Sequence, residues 1–402
     1  MRTKRAVMVL FHDTMPPRHL LMLRSLKQFG WSVSVVAWKR REESRIPFGC
    51  VDLVDYWHWI PVNAPISGGF KLLRRLPLYY FNLLRCVFRL TKIDLWILCH
   101  FCLLGCVPFL SGKKLYDVPE MYAIDISLRL PMLGRVMRRA VNLLEGLLAS
   151  RVDGISTVDS RGKWLEKFYG RWNRNVQVIW NVPSRRDDPQ KEEVNALTKD
   201  YSGLKVIAFI GGLKIAKGFR LAIDVAATVK KRHSDVLFLF IGARQNEKAA
   251  AEPLIQAHGL KGSIRVLKWM PYRQMLAHLR HAQIGLALHR REAIYPFVST
   301  GNGRKFFSYM QVGIPIIGPN FGEVGKAVTV ADCGILVDTE NIDEVSSAIQ
   351  KLLHRPEDSS RMGANGRRAF LEHFNWEKEE KKFIELVDKI TRPEISQPNS
   401  SA

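Results

Sequence analysis

Two short stretches carry residues suited to gripping a phosphate. FIGGLKIAKGF, residues 209–219, reads as a strand, a glycine turn and a helix start. Gly211 and Gly212 let backbone amides approach an anion closely, and the following helix adds the positive end of its dipole. Lys217 supplies a point charge for a diphosphate. The second stretch, STGNGRKFFSYMQVGIPIIGP, spans residues 299–319. Amides from Gly301, Asn302, Gly303 and Arg304 can wrap another phosphate, with Lys305 beside them. Phe306, Phe307, Tyr309 and Met310 then face inward on a helix that Gly313 ends. This stretch contains no carboxylate. The first turn alone is also a tight βα turn with a solvent lysine. Two such turns in one half of the chain argue for a single diphosphate ligand. Cations and oriented amides at such a place bind a phosphate.

The first half offers a different set of polar groups. His12 and Asp13 follow the first apolar run, and His100, Asp117, Glu120 and Asp125 come later. These can hydrogen-bond a polar ligand. Each has a plainer reading: His100 as a satisfied strand histidine, Asp117 or Glu120 as a loop cap. Cys99, Cys102 and Cys106 surround His100, but nothing supplies the second half of a zinc site, so no metal is expected. Thiols in such apolar runs suit reduced, buried cysteines.

Alternating elements must hold these groups. A strand at Ala6–Phe11 leads to a helix opened by Pro16 and Pro17 and stopped by Gly30, then to the strand SVSVVAW. This β-α-β order implies a parallel sheet covered by helices. DLWILC, KKLYDV, VDGISTV and VQVIWNV read as further strands. The expected organisation is a first Rossmann-like domain over 1–184, a polar linker over 185–203 and a second Rossmann-like domain over 204–375. A crossing helix over 376–392 and a disordered tail over 393–402 complete it. Facing α/β sheets bind ligands at the carboxyl ends of their strands.

The chain of 402 residues has 47% apolar and 25% charged residues, as globular proteins do, but a formal net charge of +23. Residues 1–185 hold 29 Lys and Arg against 13 Asp and Glu. That field favours anionic partners. No zinc-finger spacing, RNP motif or basic zipper is present, which argues against nucleic acid. Residues 69–92, GFKLLRRLPLYYFNLLRCVFRLTK, interleave basic and aromatic residues as a surface for anionic lipid would. A core helix with a solvated basic face is the plain alternative. MRTKRAVMVLFHD mimics a signal peptide but reads better as a buried first strand. LWILCHFCLLGCVPFL falls short of the roughly 20 residues of a membrane span.

The order of motifs resembles the GT-B glycosyltransferases of the retaining group 1, or family 4, type, over nearly the whole chain. GGLKIAKGF is similar to that family's G-R-L-x-x-x-K-G turn, and GRKFFSYMQVGIPIIGP to its N-K-x-F-E-Y-M-A-x-G-x-P-V segment. FLFIGARQNE and VLKWMPYRQMLAHLRHAQIGLALH resemble its base-side loops and following αβ unit. KKLYDVPEMY is similar to V-Y-D-x-H-E, GISTVDS and VIWNVPS to the segments closing the first domain, and HFNWEKE to the terminal helix. The resemblance implies an α/β GT-B fold, with two Rossmann-like domains facing a cleft. It implies that Lys217 binds the donor diphosphate with the Gly301–Arg304 amides, that loops at Gly242 and Met270 hold the base, and that Ser308 meets the donor ribose. It makes 204–375 the nucleotide-sugar-binding domain and 1–184 the acceptor-side domain, with His100, Asp117 and Glu120 as catalytic candidates and His12, Asp13 and Asp125 as acceptor-side candidates. Gly212 stands where the family has Arg, Pro119 where it has His, and Ser308 where a carboxylate grips the donor ribose; Thr300 replaces a second acid. The implied activity is transfer of a sugar from a nucleotide-sugar to a glycan or polyprenyl-diphosphate-linked acceptor in surface polysaccharide or lipopolysaccharide assembly. Retention, no obligatory metal or other cofactor, and a cytoplasmic position peripheral to an anionic membrane are expected. The alternative is a catalytically silent GT-B protein that binds a glycan or a partner.

Overall fold

The computed structural model describes residues 2–47, 49–65, 70–119, 122, 134–158, 164–213, 217–291, 304–322 and 324–392. Its first sheet has seven parallel strands: β1 (Arg5–Leu10), β2 (Ser32–Lys39), β3 (Tyr56–Pro61), β4 (Leu95–Leu98), β5 (Lys113–Val118), β6 (Gly154–Thr157) and β7 (Val176–Val178). Their order is β3-β2-β1-β4-β5-β6-β7. The chain therefore reverses its direction of growth between β1 and β4. β1 from Ala6 and β2 from Val33 to Trp38 are buried at every position, because helices cover both faces of a parallel sheet. β3 is the strand the sequence reading lacks. YWHWIP shows no clean alternation and ends in proline, which an edge position tolerates. The run from Leu95 to Leu110 divides into β4 and a 3₁₀ helix, Phe101–Phe109. Among the described residues no helix is long and apolar enough to cross a membrane. All six cysteines are unpaired.

The second sheet has six parallel strands: β8 (Lys205–Ile210), β9 (Val236–Ala243), β10 (Ile264–Lys268), β11 (Ala282–Leu286), β12 (Ile316–Pro319) and β13 (Gly334–Val337). Their order, β10-β9-β8-β11-β12-β13, repeats the first sheet's scheme, with the reversal between β8 and β11. Side chains alternate between two cores. Ile207 and Phe209 of β8 join Phe238 and Phe240 of β9 on one face. Val206, Ala208 and Ile210 join Leu237, Leu239 and Ile241 on the other.

The chain forms two compact units, one of Met1–Val158, Lys163–Ile179 and Glu379–Ala402, the other of Asp159–Gly162 and Trp180–Lys378. Residues 185–203, read from sequence as a linker, carry the short helices Arg185–Asp187, Lys191–Asn195 and Thr198–Tyr201 within the second unit. Tyr201 is buried in that unit's core, and Asp188 is ion-paired to Arg367 at 2.5 Å. The helix Trp376–Thr391 starts in the second unit, where the Trp376 amide donates to the Pro183 carbonyl at 2.9 Å. From Glu379 on it belongs to the first, where the Ser25 hydroxyl donates to Glu380 at 2.6 Å.

Candidate functional site

In an open α/β sheet the crevice for a ligand lies where the strand order reverses, beyond the carboxyl ends of the strands. In the second unit that place is set by β8 and β11. β8 runs into Gly211, whose φ of +98° is a left-handed conformation open to glycine. A Cβ built there would stand 3.3 Å from Lys305 Cε, 3.7 Å from Lys217 Nζ and 3.9 Å from Lys305 Nζ. Two amines from separate elements thus converge on one turn. Lys305 comes from the first turn of the helix Arg304–Val312. Its Nζ is buried, has no hydrogen-bond partner among the described residues, and lies 4.4 Å from the centre of the Phe209 ring. Burial first, and then the charge of Lys217, hold the Lys305 amine well below its ordinary range. His289, just past β11, is pushed well below its ordinary range, chiefly by burial. Gly242 packs its backbone 3.5 Å from that of Gly211. Glu247 faces Gly212, and its carboxylate accepts from the amides of Leu213 at 3.3 Å and Arg244 at 2.9 Å.

The reversal point of the first sheet gathers His12, Asp13 and His100 beyond β1 and β4. The His12 Nδ1–H donates to the Thr14 carbonyl at 2.8 Å, which leaves Nε2 as an acceptor. His100 Nδ1 accepts from the Cys102 amide at 3.2 Å, which leaves its Nε2 as a donor. The His100 ring stacks on Phe11 with centroids 4.5 Å apart. Burial pushes His12 down to about 4 and His100 down to about 3, so both are neutral near pH 7. Neutral imidazoles of opposite hydrogen-bonding sense suit sugar hydroxyls. Asp13 is engaged by Ser44 at 2.6 Å and Arg41 at 3.2 Å, and so braces the loop after β2.

Comparison with known proteins agrees with this architecture. Residues 190–369 match the model of the family described as Glycosyl transferases group 1. The second unit belongs to that family, and the chain has the GT-B fold. Glycogen synthase of Mycobacterium tuberculosis is 20% identical over 287 residues, 70% of this chain. The match spans 64% of that relative's length. Sucrose-phosphate synthase from Thermosynechococcus elongatus aligns over 96% of this chain and 99% of its own, with a TM-score of 0.73 at 14% identity. Anabaena HepE in complex with UDP-glucose aligns over 96% and 99%, with a TM-score of 0.71 at 13% identity.

Within this GT-B chain the sequence-derived candidates separate into three groups. Gly211, Gly212, Lys217, Gly242, Arg304 and Lys305 come from the turn after β8, the end of β9 and the helix after β11. Glu120, Asp125, Gly301, Asn302 and Gly303 lie outside the described residues. The remaining candidates include two corrections. Asp117, read as catalytic, is fully buried: it binds Arg18 at 2.9 Å, His19 at 2.8 Å and Ser156 at 2.6 Å, and has no face toward a substrate. Ser308, read as a ribose contact, is buried too, its hydroxyl between the Arg304 carbonyl and the Tyr272 hydroxyl, each at 2.9 Å. Ser308 lies one turn past Arg304, on the buried side of the helix Arg304–Val312. Met270 packs partly buried against the same core, and Trp269, 71% exposed, is the open aromatic of that group 1 loop. The sequence reading missed His289 and Glu247. A polar residue directly after the apolar run of β11 was the available signal for His289. Glu247 becomes visible only through the amides it caps.

Proposed function

We propose that the chain is a glycosyltransferase holding a nucleotide-sugar by its diphosphate at the Gly211 turn. The convergence of Lys217 and Lys305 on that turn, at the reversal point of the second sheet, carries this reading. As the bond between the anomeric carbon and the phosphate oxygen breaks, negative charge grows on the diphosphate, and the two amines and the helix N-terminus stabilise it. The leaving phosphate takes the proton of the incoming hydroxyl, giving retention and needing no side-chain base. The acceptor is a glycan, carried on a polyprenyl diphosphate during surface polysaccharide or lipopolysaccharide assembly. His12 Nε2 and His100 Nε2–H are its proposed hydroxyl contacts in the first unit.

The first unit's surface supports a site at an anionic membrane. The helix Leu76–Arg89 exposes Leu78, Phe81 and Phe88 together with Arg85 and Arg89. The helix Gly134–Ala149 exposes Val136, Leu143, Leu144 and Leu147 together with Arg138 and Arg139. Both helices pack against the 3₁₀ helix Phe101–Phe109, whose Phe109 is also exposed. Apolar side chains beside arginines match a bilayer interface with anionic headgroups.

The test is a thermal-shift and calorimetry panel of nucleoside diphosphates, UDP-glucose and GDP-mannose on the full chain. A bound donor at about 100 times its dissociation constant raises stability by roughly 2.7 kcal/mol. Lys217→Ala weakens donor binding about tenfold or more, the scale of a lost charge-assisted hydrogen bond, about 1.5–3 kcal/mol. Unchanged affinity in that variant would remove the phosphate assignment. The engaged Ser308, where the family carries a ribose-binding carboxylate, favours one second reading, a silent glycan- or partner-binding GT-B protein. Donor binding without hydrolysis or transfer selects it.

A further inference from the structure

We infer that Lys305 is the proton-taking residue of the second-unit site: its amine is uncharged while the site is empty and becomes an ammonium when a diphosphate enters. This rests on the donor-site reading above and adds what that reading lacks, a proton taken up with each donor bound.

The geometry carries the inference. Lys305 leaves the first turn of its helix and turns its Nζ inward, over the face of Phe209 and away from any acceptor among the described residues. Among the described residues the groups that face it are cationic or neutral. Lys217 faces it from the turn after β8, His289 from the end of β11, and Arg304 precedes it on its own helix. Arg304 stacks its guanidinium over Tyr272 at 4.6 Å. The nearby acid, Glu247, is turned to Gly212 and to the amides of Leu213 and Arg244. Among the described residues no carboxylate forms an ion pair with Lys305. An ammonium buried beside another ammonium and a helix N-terminus is disfavoured on every count. A ring face is a weaker partner than an oxygen acceptor. The direction of the Lys305 shift, with burial as its larger cause and Lys217 as the second, agrees with this.

A diphosphate at the Gly211 turn reverses the balance. Its oxygens bring negative charge within the range that favours the charged amine. The proton comes from solvent: the neutral amine lone pair takes H⁺ as the anion enters, and the same proton returns to water as the nucleoside diphosphate leaves. Lys305 also acts with Lys217 as the second cation on the leaving group. The sign of the pH dependence follows. Donor affinity is independent of Lys305 below the amine's empty-site pKa. It falls as pH rises from there to the higher pKa of the donor-bound amine, by about tenfold per pH unit.

The experiment is titration calorimetry of the full chain with UDP-glucose and with GDP-mannose, whose diphosphate diesters do not titrate near neutrality. Binding is measured near pH 8 in buffers of low and high ionisation enthalpy. The expected result is uptake of about one proton per donor bound in wild type. Uptake is absent in Lys305→Met, which keeps the side chain's length without an amine and binds the donor at least about tenfold more weakly. Lys305→Arg, charged at every accessible pH, also takes up no proton and keeps the test open should the methionine variant fail to fold. His289→Gln retains the uptake. Binding whose heat is the same in all buffers overturns the inference and leaves the donor site standing. Uptake that survives Lys305→Met, or disappears in His289→Gln, also overturns it. Failure of both probes and of UDP and GDP to bind removes the donor-site reading and this inference with it.

Discussion

Asp117 shows how far a single residue's role depends on what surrounds it. Burial works against its charged form. The charge of Arg18 and the hydrogen bond from His19 outweigh that, so the carboxyl is held well below the usual carboxylate range. Arg18 Nη1 also donates to the Ile179 carbonyl at 2.7 Å, tying the first helix to the residue just past β7. Removing one partner of a buried pair leaves an uncompensated charge, a loss of about 3–5 kcal/mol. Asp117→Ala therefore lowers the first unit's melting temperature by roughly 10 °C. A depressed carboxyl pKa adds stability that is present above about pH 4 and is lost as pH falls toward the folded-state value. The gap between wild type and Asp117→Asn accordingly narrows on acidification. Chemical or thermal unfolding followed at several pH values checks both; a gap that is constant with pH would count against the ionised pair.

At the scale of the element, the turns after β8 fix the site. Gly218 starts the helix Phe219–Lys230 at a φ of +77°, and a Cβ there would overlap the carbonyl oxygen of Leu288. That oxygen belongs to the backbone leading out of β11 and cannot swing aside. Gly259 has a similar φ of +66° but open space around it. The two separate strain from contact. Gly259→Ala costs about 1 kcal/mol through its backbone alone. Gly218→Ala adds a collision, costs about 4 kcal/mol or more, and disrupts the second unit. Melting temperatures of the two variants are the measurement, and equal values would show that the Leu288 approach is unimportant. Gly211 differs from both, since its neighbour is the flexible Lys305 side chain, and alanine there displaces an amine rather than breaking the unit.

For the molecule as a whole, charge is the organising fact. The net charge of +23 sits mainly in the first half, and that unit also exposes two apolar helix stripes. Phe88 is 65% exposed and Val136 68%, which a water-facing helix has no reason to select. The full chain is expected to sediment with vesicles containing anionic lipid and to be released by added salt. Replacing Arg85, Arg89, Arg138 and Arg139 by Gln reduces that binding by about 1 kcal/mol for each arginine that lies near the surface. Replacing Phe81 and Phe88 by Ser weakens binding that salt does not reverse. Equal partition into neutral and anionic vesicles would count against an electrostatic component.

Much of this architecture is legible along the chain because it is local. Unbroken Val, Ile, Leu and Phe runs such as VLFLFIG mark strands buried on both faces, and glycines that must adopt left-handed backbone mark the turns at their ends. Hence the two α/β units, the GT-B likeness and the Gly211–Lys217 turn could be read without coordinates. What could not be read depends on partners distant in sequence. Asp117 meets Arg18 across 99 positions, and Ser308 meets Tyr272 across 36. These contacts turn an apparent catalytic acid and an apparent ribose ligand into parts of the core. The strand YWHWIP escaped because an edge strand is defined by its neighbour β2 more than by its own pattern. Lys305 is the sharpest case: its position beside a glycine-rich turn marked it as a cation for a phosphate, yet packing buries its amine against Phe209 next to Lys217. Residue type and spacing set which backbone forms; burial and unlike neighbours set which charges survive in it, and those are properties of the folded chain.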